Sequence, residues 1–218
     1  MAQMDLVALR VTEIFYSLQG ETNTVGLPTV FIRLTGCPLR CGYCDTAYAF
    51  SGGEKQTLDQ ILRQVKTYKT RYVTVTGGEP LAQPGCNVLM VQLLDAGYQV
   101  SLETSGAMDV SKVDPRVVKV MDLKTPSSGE MQRNLYGNIE YLHPHDQVKF
   151  VIADQVDYEW SKQQLIEYKL PERCQVLFSP VMGTMPPTVL ADKILADQLP
   201  VRFQIQLHKY LWDDARGK

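Results

Sequence analysis

The segment from Thr29 to Cys44, TVFIRLTGCPLRCGYC, decides how the chain is interpreted. Residues 29–34 are rich in β-branched and aromatic side chains and predict a buried strand. Gly36 follows that strand, and Cys37, Cys41 and Cys44 come within the next eight residues. A strand that ends in a loop with three thiols predicts a metal-binding turn.

Composition sets the broad class. The 218 residues are 44% hydrophobic, enough for one domain with a full core, which we expect to span residues 1–218. Twenty-two basic and 24 acidic residues leave a net charge of −2, so neither direct nucleic-acid binding nor an anionic membrane partner is expected. The N-terminus, Met1 to Asp5, lacks signal-peptide features, and we expect a cytoplasmic protein.

Short apolar runs alternate with helical patterns along the chain. Thr57 and Gln60 form a predicted capping box at the start of a helix, and Gly97 is placed to end a second helix near residues 88–96. This β-α-β alternation predicts parallel strands with outer helices. Seven strands are predicted, too few for a complete barrel of about 250 residues, so an incomplete (β/α) barrel is expected. They cover residues 29–34, 72–76, 99–103, 117–123, 148–152, 175–178 and 201–207.

Polar and glycine-rich residues follow the predicted strands repeatedly. In parallel α/β folds, chemistry collects at the carboxyl ends of the strands. We therefore expect one active site along this edge. Its five predicted clusters are Gly36-Cys37, Thr76-Gly77-Gly78-Glu79-Pro80, Glu103-Thr104-Ser105-Gly106, Asp122-Leu123-Lys124 and Gln206-Leu207-His208.

The three clustered cysteines have the spacing C-x3-C-x2-C. Structural zinc usually takes four ligands in two pairs, and here only Cys86 or Cys174 could supply the fourth. Three thiolates suit a four-iron cluster that keeps one iron open for another ligand. The cluster is the favoured interpretation. A zinc clip, unliganded thiols and an electron-transfer module remain alternatives.

Two motifs together resemble the radical S-adenosylmethionine superfamily. One is the cysteine triad with an aromatic residue, Tyr43, before its last member; the other is the Gly-Gly-Glu-Pro run that follows Thr76. The resemblance implies a barrel of the radical S-adenosylmethionine type, with a [4Fe-4S] cluster on Cys37, Cys41 and Cys44. It also implies that the open iron chelates S-adenosylmethionine, which an electron then cleaves to a 5′-deoxyadenosyl radical.

Further motifs resemble the 7-carboxy-7-deazaguanine synthase family, from about residue 12 to residue 212. The resemblance implies that 6-carboxy-5,6,7,8-tetrahydropterin is converted to 7-carboxy-7-deazaguanine with release of ammonia, in the pathway to 7-deazapurines such as queuosine. It further implies Mg2+, a homodimer and an external low-potential reductant of the flavodoxin or ferredoxin type. The matching runs are Glu13-Ile14-Phe15, Leu18-Gln19-Gly20-Glu21, Gly26-Leu27-Pro28, Phe31-Ile32-Arg33-Leu34-Thr35-Gly36-Cys37, Cys44-Asp45-Thr46, Glu103-Thr104-Ser105-Gly106 and Gln206-Leu207-His208-Lys209-Tyr210.

The same resemblance assigns site residues. Glu21 would accept hydrogen bonds from the guanidine-like edge of the pterin, while Arg33 and His208 would face its carboxylate or ring carbonyl. Thr46 would contact Mg2+. The complete substrate set is Leu18, Gln19, Gly20, Glu21, Arg33, Thr76 and His208; the S-adenosylmethionine set is Tyr43, Gly78, Glu103, Ser105, Lys124, Phe178, Ser179, Pro180 and Val181.

The sequence differs from the family motif at one position, and one other enzyme class is an alternative to this assignment. Thr22 stands where the family motif Gln-Gly-Glu-Gly ends in glycine, so an altered loop conformation over the substrate is expected. A glycyl-radical activating enzyme has the same cysteine spacing but needs a groove for a partner protein. Gln19-Gly20-Glu21 and the pair Gln206 and His208 favour a small-molecule pocket instead.

Overall fold

A computed structural model describes residues 7–213 and 215–218, so the Met1–Asp5 segment lies outside the described residues. Its strands form one nine-stranded sheet in the order β3-β1-β2-β4-β5-β6-β7-β8-β9. The strands are β1 (Ala8–Leu18), β2 (Pro28–Leu34), β3 (Glu54–Thr57), β4 (Tyr72–Gly77), β5 (Gln99–Thr104), β6 (Val118–Asp122), β7 (Gln147–Ile152), β8 (Gln175–Pro180) and β9 (Arg202–Phe203). The helices are α1 (Leu58–Val65), α2 (Cys86–Asp95), α3 (Gln155–Glu167), α4 (Leu170–Arg173), α5 (Pro187–Ala196) and α6 (Leu207–Trp212).

Strands β2 and β4 to β9 pair in parallel, which confirms the incomplete (β/α) barrel. Two antiparallel strands were not predicted. In β1, Arg10 and Glu13 interrupt the apolar run, and in β3 the sequence Glu-Lys-Gln-Thr carries no apolar residue at all. Both strands are fixed by pairing: β1 lies between β2 and β3. Such tertiary pairing overrides local propensity.

The predicted strand at residues 201–207 is wrong over most of its length. Only Arg202 and Phe203 pair, with β8. The chain then turns, because the amide of Leu207 donates to the carbonyl of Gly20 at 2.9 Å and α6 begins at that residue. A contact between distant segments therefore replaces the end of the strand with a helix.

Two apolar clusters lie between the sheet and the helices. The first packs α1 and α2 against strands that include β2, β4 and β5; the second packs α3 and α5 against β7 and β8. The predicted capping box is confirmed: the Gln60 amide donates to Thr57 Oγ1 at 3.3 Å, and the Thr57 amide donates to Gln60 Oε1 at 2.8 Å. Within residues 7–213 and 215–218, no helix combines the length and apolarity needed to cross a membrane.

Candidate active site

A cavity of about 710 Å³ opens at the carboxyl edge of the parallel strands. Alternation along the strands builds its wall, since in β4 the valines pack outward in the first apolar cluster while Thr74 and Thr76 face the opposite side. The cavity brings together most of the residues assigned from the sequence. They are Leu18, Gln19, Gly20, Glu21, Arg33, Cys37, Cys41, Tyr43, Cys44, Thr46, Thr76, Gly78, Glu103, Ser105, Lys124, Val181 and His208.

Hydrogen bonds to the loop after β6 hold the cysteine loop. The amide of Gly42 donates to the carbonyl of Ser128 at 3.0 Å, and the amide of Arg40 donates to Glu130 Oε1 at 2.5 Å. The β6 loop is itself anchored to α3, because the Ser127 amide donates to Asp157 Oδ1 at 2.9 Å. The thiols are thus presented by a loop tied to two other elements.

The thiols fit an iron–sulfur cluster. All three are free and partly exposed, and burial raises the pKa of Cys37 and of Cys41, with the charge of Cys44 adding to both shifts. Among the described residues, no group of three or more His, Cys, Asp or Glu side chains converges on a single ion. In a cluster each thiolate binds a different iron, so three nearby but separate sulfurs suit it.

The remaining cysteines do not join this site. Cys86 is buried in the first apolar cluster and Cys174 in the second, and burial raises the pKa of each to about 12. A zinc clip would need one of them as its fourth ligand. That alternative is therefore not supported by the structure, and both behave as packing residues.

The glycine-rich loop after β4 presses against the cysteine loop. A Cβ on Gly78 would overlap the carbonyl of Gly36 and lie 2.7 Å from the Cβ of Cys37, so only glycine fits. The carboxylate of Glu79 is fully buried and accepts from the Ser105 amide at 2.7 Å, from Ser105 Oγ at 2.5 Å and from Thr104 Oγ1 at 3.0 Å. Glu79 therefore ties the β4 loop to the end of β5.

The residues assigned to S-adenosylmethionine lie mainly on one side of the cavity. Lys124 pairs with Asp122 at 3.2 Å, and although burial opposes its charge, Asp122 raises its pKa. Burial raises the pKa of Tyr43 to about 12, and its hydroxyl lies 3.3 Å from Thr125 Oγ1. Both groups keep their ordinary protonation at neutral pH.

The structure does not bring three of the assigned residues to the cavity. Phe178 belongs to the second apolar cluster, where it packs edge-on against Phe150 at 5.5 Å. Ser179 and Pro180 complete β8 and are buried without lining the cavity; from this strand end, Val181 alone of the four assigned residues reaches it. The physical reason is alternation along β8, which turns Phe178 toward the helices.

On the side of the cavity opposite the S-adenosylmethionine residues, Glu21 accepts hydrogen bonds from three side chains. Its carboxylate accepts from Lys149 Nζ at 2.7 Å, from Gln206 Nε2 at 3.0 Å and from Gln204 Nε2 at 3.3 Å. Burial raises the pKa of Glu21, but Lys149 and the other donors outweigh it, so the pKa is lowered. By contrast, burial and the nearby charge of Glu21 raise the pKa of Glu103.

Arg33 lies in an aromatic and acidic setting. Its Nε donates to Glu13 Oε1 at 2.7 Å, and the same oxygen accepts from the Tyr48 hydroxyl at 2.7 Å. The guanidinium carbon also lies 5.7 Å from the centre of the Phe15 ring, which stacks on Phe31 at 4.9 Å. These contacts fix the guanidinium at the cavity wall.

Thr46 lies beside a paired carboxylate. Its hydroxyl donates to Asp45 Oδ1 at 3.0 Å, which leaves the hydroxyl oxygen able to accept or to bind a cation. Asp45 also contacts Lys209 Nζ at 3.1 Å, and although burial raises its pKa, Lys209 lowers it to about 2. Oxygen donors of this kind suit Mg2+.

Thr22 keeps a glycine-like conformation. Its φ is 69°, in the left-handed region that β-branched residues seldom adopt. The strain is offset locally, since its amide donates to Gln204 Oε1 at 3.0 Å and its hydroxyl lies 3.1 Å from Thr24 Oγ1. Thr22 therefore has a backbone conformation that a glycine at this position would adopt without strain.

Several lining residues were missed from the sequence. Lys149 could be assigned equally to the interior or the surface. Phe15 belongs to a matching run but was given no role, because β1 was not predicted. Asp122 was included in a predicted cluster at a strand end, although no role was assigned to it. Phe31, Asp45, Gln206 and Lys209 lie within motifs quoted above but were given no role there. Other lining residues that were not assigned are Tyr48, Met182, Arg216, Gly217 and Lys218.

Comparison with known proteins first defines the class. The model of the radical SAM superfamily matches residues 31–162, which include the cysteine loop and the glycine-rich loop. The crystal structure of QueE from Escherichia coli has the same fold, with a TM-score of 0.77 and 23% identity over 92% of this chain and 95% of that one. The chain is a radical S-adenosylmethionine enzyme, a class that uses a [4Fe-4S] cluster and S-adenosylmethionine.

Close relatives then define the family. The 7-carboxy-7-deazaguanine synthase of Chlorobaculum tepidum is 44% identical over 96% of this chain and 97% of its own length. The enzyme of the same name from Koribacter versatilis is 41% identical over 94% and 97%. The chain belongs to the 7-carboxy-7-deazaguanine synthase family.

Proposed function

We propose that this enzyme contracts the ring of 6-carboxy-5,6,7,8-tetrahydropterin to form 7-carboxy-7-deazaguanine and ammonia, in 7-deazapurine biosynthesis. The observation that carries the proposal is that one cavity contains both the three-cysteine loop and the buried, ionised Glu21. The first provides for a radical source, and the second is matched to the N–H edge of a pterin. The names of the relatives at 41–44% identity support the same reaction.

Cys37, Cys41 and Cys44 would hold the cluster, which when bound supplies the electron that converts S-adenosylmethionine to a radical able to abstract hydrogen. Glu79 acts indirectly, by fixing Ser105 at the edge of the cofactor side. Lys124 places a positive charge beside the cysteine loop, where it acts to lower the pKa of Cys41 against the effect of burial. The role of the chain is thus to position the radical source.

Residues on the opposite wall of the cavity would recognise the pterin. Glu21 Oε1 accepts only from Gln206 among the described residues, so it can accept a further N–H from the aminopyrimidine edge. The Nε of Arg33 is occupied by Glu13, and its terminal amino groups suit the substrate carboxylate. Phe15 and Phe31 offer apolar surface next to that guanidinium.

Four further features belong to the proposal. Mg2+ would bind at Thr46, where it would order the substrate and stabilise developing charge. A low-potential flavodoxin or ferredoxin would supply the electron. The enzyme would act as a homodimer in the cytoplasm. Gln206, which precedes α6, and Lys209 within it both contact Asp45, so the start of this helix is held against the cavity. This arrangement supports a small substrate over the partner protein of a glycyl-radical activating enzyme.

Anaerobic turnover tests the proposal. The reconstituted enzyme is incubated with carboxytetrahydropterin, S-adenosylmethionine and a chemical reductant, with and without Mg2+, and products are identified by mass. We expect the deazaguanine, ammonia and a rate of 5′-deoxyadenosine formation that depends on the pterin. Formation of 5′-deoxyadenosine that ignores the pterin but responds to a large partner protein would support the glycyl-radical rival instead.

A further inference from the structure

Lys149 is a largely buried cation to which neither the sequence motifs nor the names of the relatives assign a role. It lies on β7 with 13% of its side chain exposed, and it lines the cavity. Its Nζ is 2.7 Å from Glu21 Oε2 and 3.5 Å from Asp122 Oδ2. The ammonium group therefore lies between a carboxylate of the substrate side and one of the cofactor side.

The charges around Lys149 favour its ammonium form. Burial lowers the pKa of Lys149, but Glu21, Asp122 and Glu103 outweigh this effect and raise it well above its ordinary value. Lys124, which contacts the same Asp122 oxygen at 3.2 Å, opposes this effect without outweighing it. The group is thus a fixed positive charge among three carboxylates.

Glu21 depends on this charge more than on its other donors. The contact from Lys149 is shorter than those from Gln206 and Gln204, and it alone carries charge. Without it, a buried carboxylate would face Glu103 with only two amide donors, and a buried charge left without its partner either neutralises or moves. Either change would remove the oriented acceptor that the pterin needs.

We propose that Lys149 is a positioning residue for the ring-contraction reaction, which fixes the carboxylate of Glu21 in the orientation that accepts the N–H edge of the pterin. Asp122 provides a second contact to the ammonium at 3.5 Å, which helps to hold Lys149 in place beside Glu21. The proposal rests on the proposed function. It predicts that Lys149 acts on the pterin through Glu21 and has little influence on cleavage of S-adenosylmethionine itself.

Lys149→Met tests the proposal in the reconstituted holoenzyme. We expect the KM for carboxytetrahydropterin to rise about tenfold or more, which corresponds to loss of one charged contact. The slow formation of 5′-deoxyadenosine without pterin stays near the wild-type rate. Lys149→Arg, which retains the charge, recovers most of the affinity. If Lys149→Met does not fold, Lys149→Gln is measured in the same way.

A double-mutant cycle separates action through Glu21 from an independent role. Because both changes disrupt one contact, the variant with Lys149→Met and Glu21→Gln is expected to have a kcat/KM close to that of Glu21→Gln alone. Additive losses would overturn the proposal. So would a wild-type KM in Lys149→Met, or an equal loss of pterin-independent cleavage.

Lys119 provides a matched control on the neighbouring strand. It is also a buried lysine paired with a carboxylate, Asp146, at 2.9 Å, but it does not line the cavity. Lys119→Met should lower the unfolding temperature while the KM for the pterin stays within about twofold. Failure of the wild-type enzyme to form the deazaguanine would count against the proposed function. Normal wild-type turnover with an unchanged Lys149→Met variant would count against the role of Lys149 alone.

Discussion

The imidazole ring of His208 lies directly over the Cα of Gly20. A Cβ on Gly20 would overlap Nδ1 of the ring and lie 3.1 Å from the backbone nitrogen of His208. The amide of Leu207 donates to the carbonyl of Gly20 at 2.9 Å, so the start of α6 rests on this glycine. The absence of a side chain at residue 20 is therefore what lets the C-terminal helix close over the substrate loop.

Gly20→Ala should displace His208 and α6 from the cavity. We expect kcat/KM for the pterin to fall about ten- to a hundredfold, because small misplacements of contact groups are costly in catalysis. Steady-state kinetics with an unfolding measurement would test this. Gly137→Ala is the control, since no heavy atom lies within 4 Å of its added Cβ and its effect should be small. Equal kinetics for the two variants would contradict the packing role of Gly20.

Replacing any one of Cys37, Cys41 and Cys44 by alanine should abolish the cluster and with it the activity. Iron and sulfide analysis should give about four of each per chain in the wild type. Cys86→Ala and Cys174→Ala should retain full iron content and lose only about 1 kcal/mol of unfolding free energy, because both are buried packing residues. Iron loss in either control would show that the cluster needs a further thiol.

Glu79→Gln should destabilise the fold and weaken the binding of S-adenosylmethionine. The amide would place a donor against the hydroxyl of Thr104 or the amide and hydroxyl of Ser105, all of which now donate to the carboxylate. We expect a loss of about 3 kcal/mol in the free energy of unfolding and weaker binding of S-adenosylmethionine. Glu172→Gln, an exposed position on α4, should change neither quantity. Denaturant titration and equilibrium binding measure the two effects.

The pKa of Glu21 predicts how stability depends on pH. Its folded pKa lies below the ordinary value of 4.5, because Lys149 and its other donors overcome burial. The ionised side chain thus stabilises the fold above that value, and the contribution is lost as pH falls through the lowered pKa. The difference in unfolding free energy between wild type and Glu21→Gln should stay constant from neutral pH to near 4.5 and shrink below it. A difference that grows as the pH falls from about 7 to about 5 would mean that the folded pKa is raised instead.

The sequence predicted those elements of the fold that are marked by neighbouring residues, such as apolar runs and helix caps. The β-rich run before Gly36, the capping box at Thr57 and the alternation of strands and helices predicted most of the parallel sheet and its outer helices. The antiparallel strands β1 and β3 were missed, because charged and polar residues form them only when a neighbouring strand pairs with them. The same limit applies to α6, which replaces a predicted strand through its contact with Gly20.

The sequence by itself determined the chemistry of this protein, because a cysteine triad and a glycine-rich loop are short motifs whose spacing carries their meaning. Only the tertiary structure decided the partners of those groups. It placed Lys149 against Glu21, pressed Gly78 onto the cysteine loop and directed Phe178 away from the cavity. The physical reason is that burial, ionisation and orientation depend on residues distant in the chain, and these meet only when the sheet has formed.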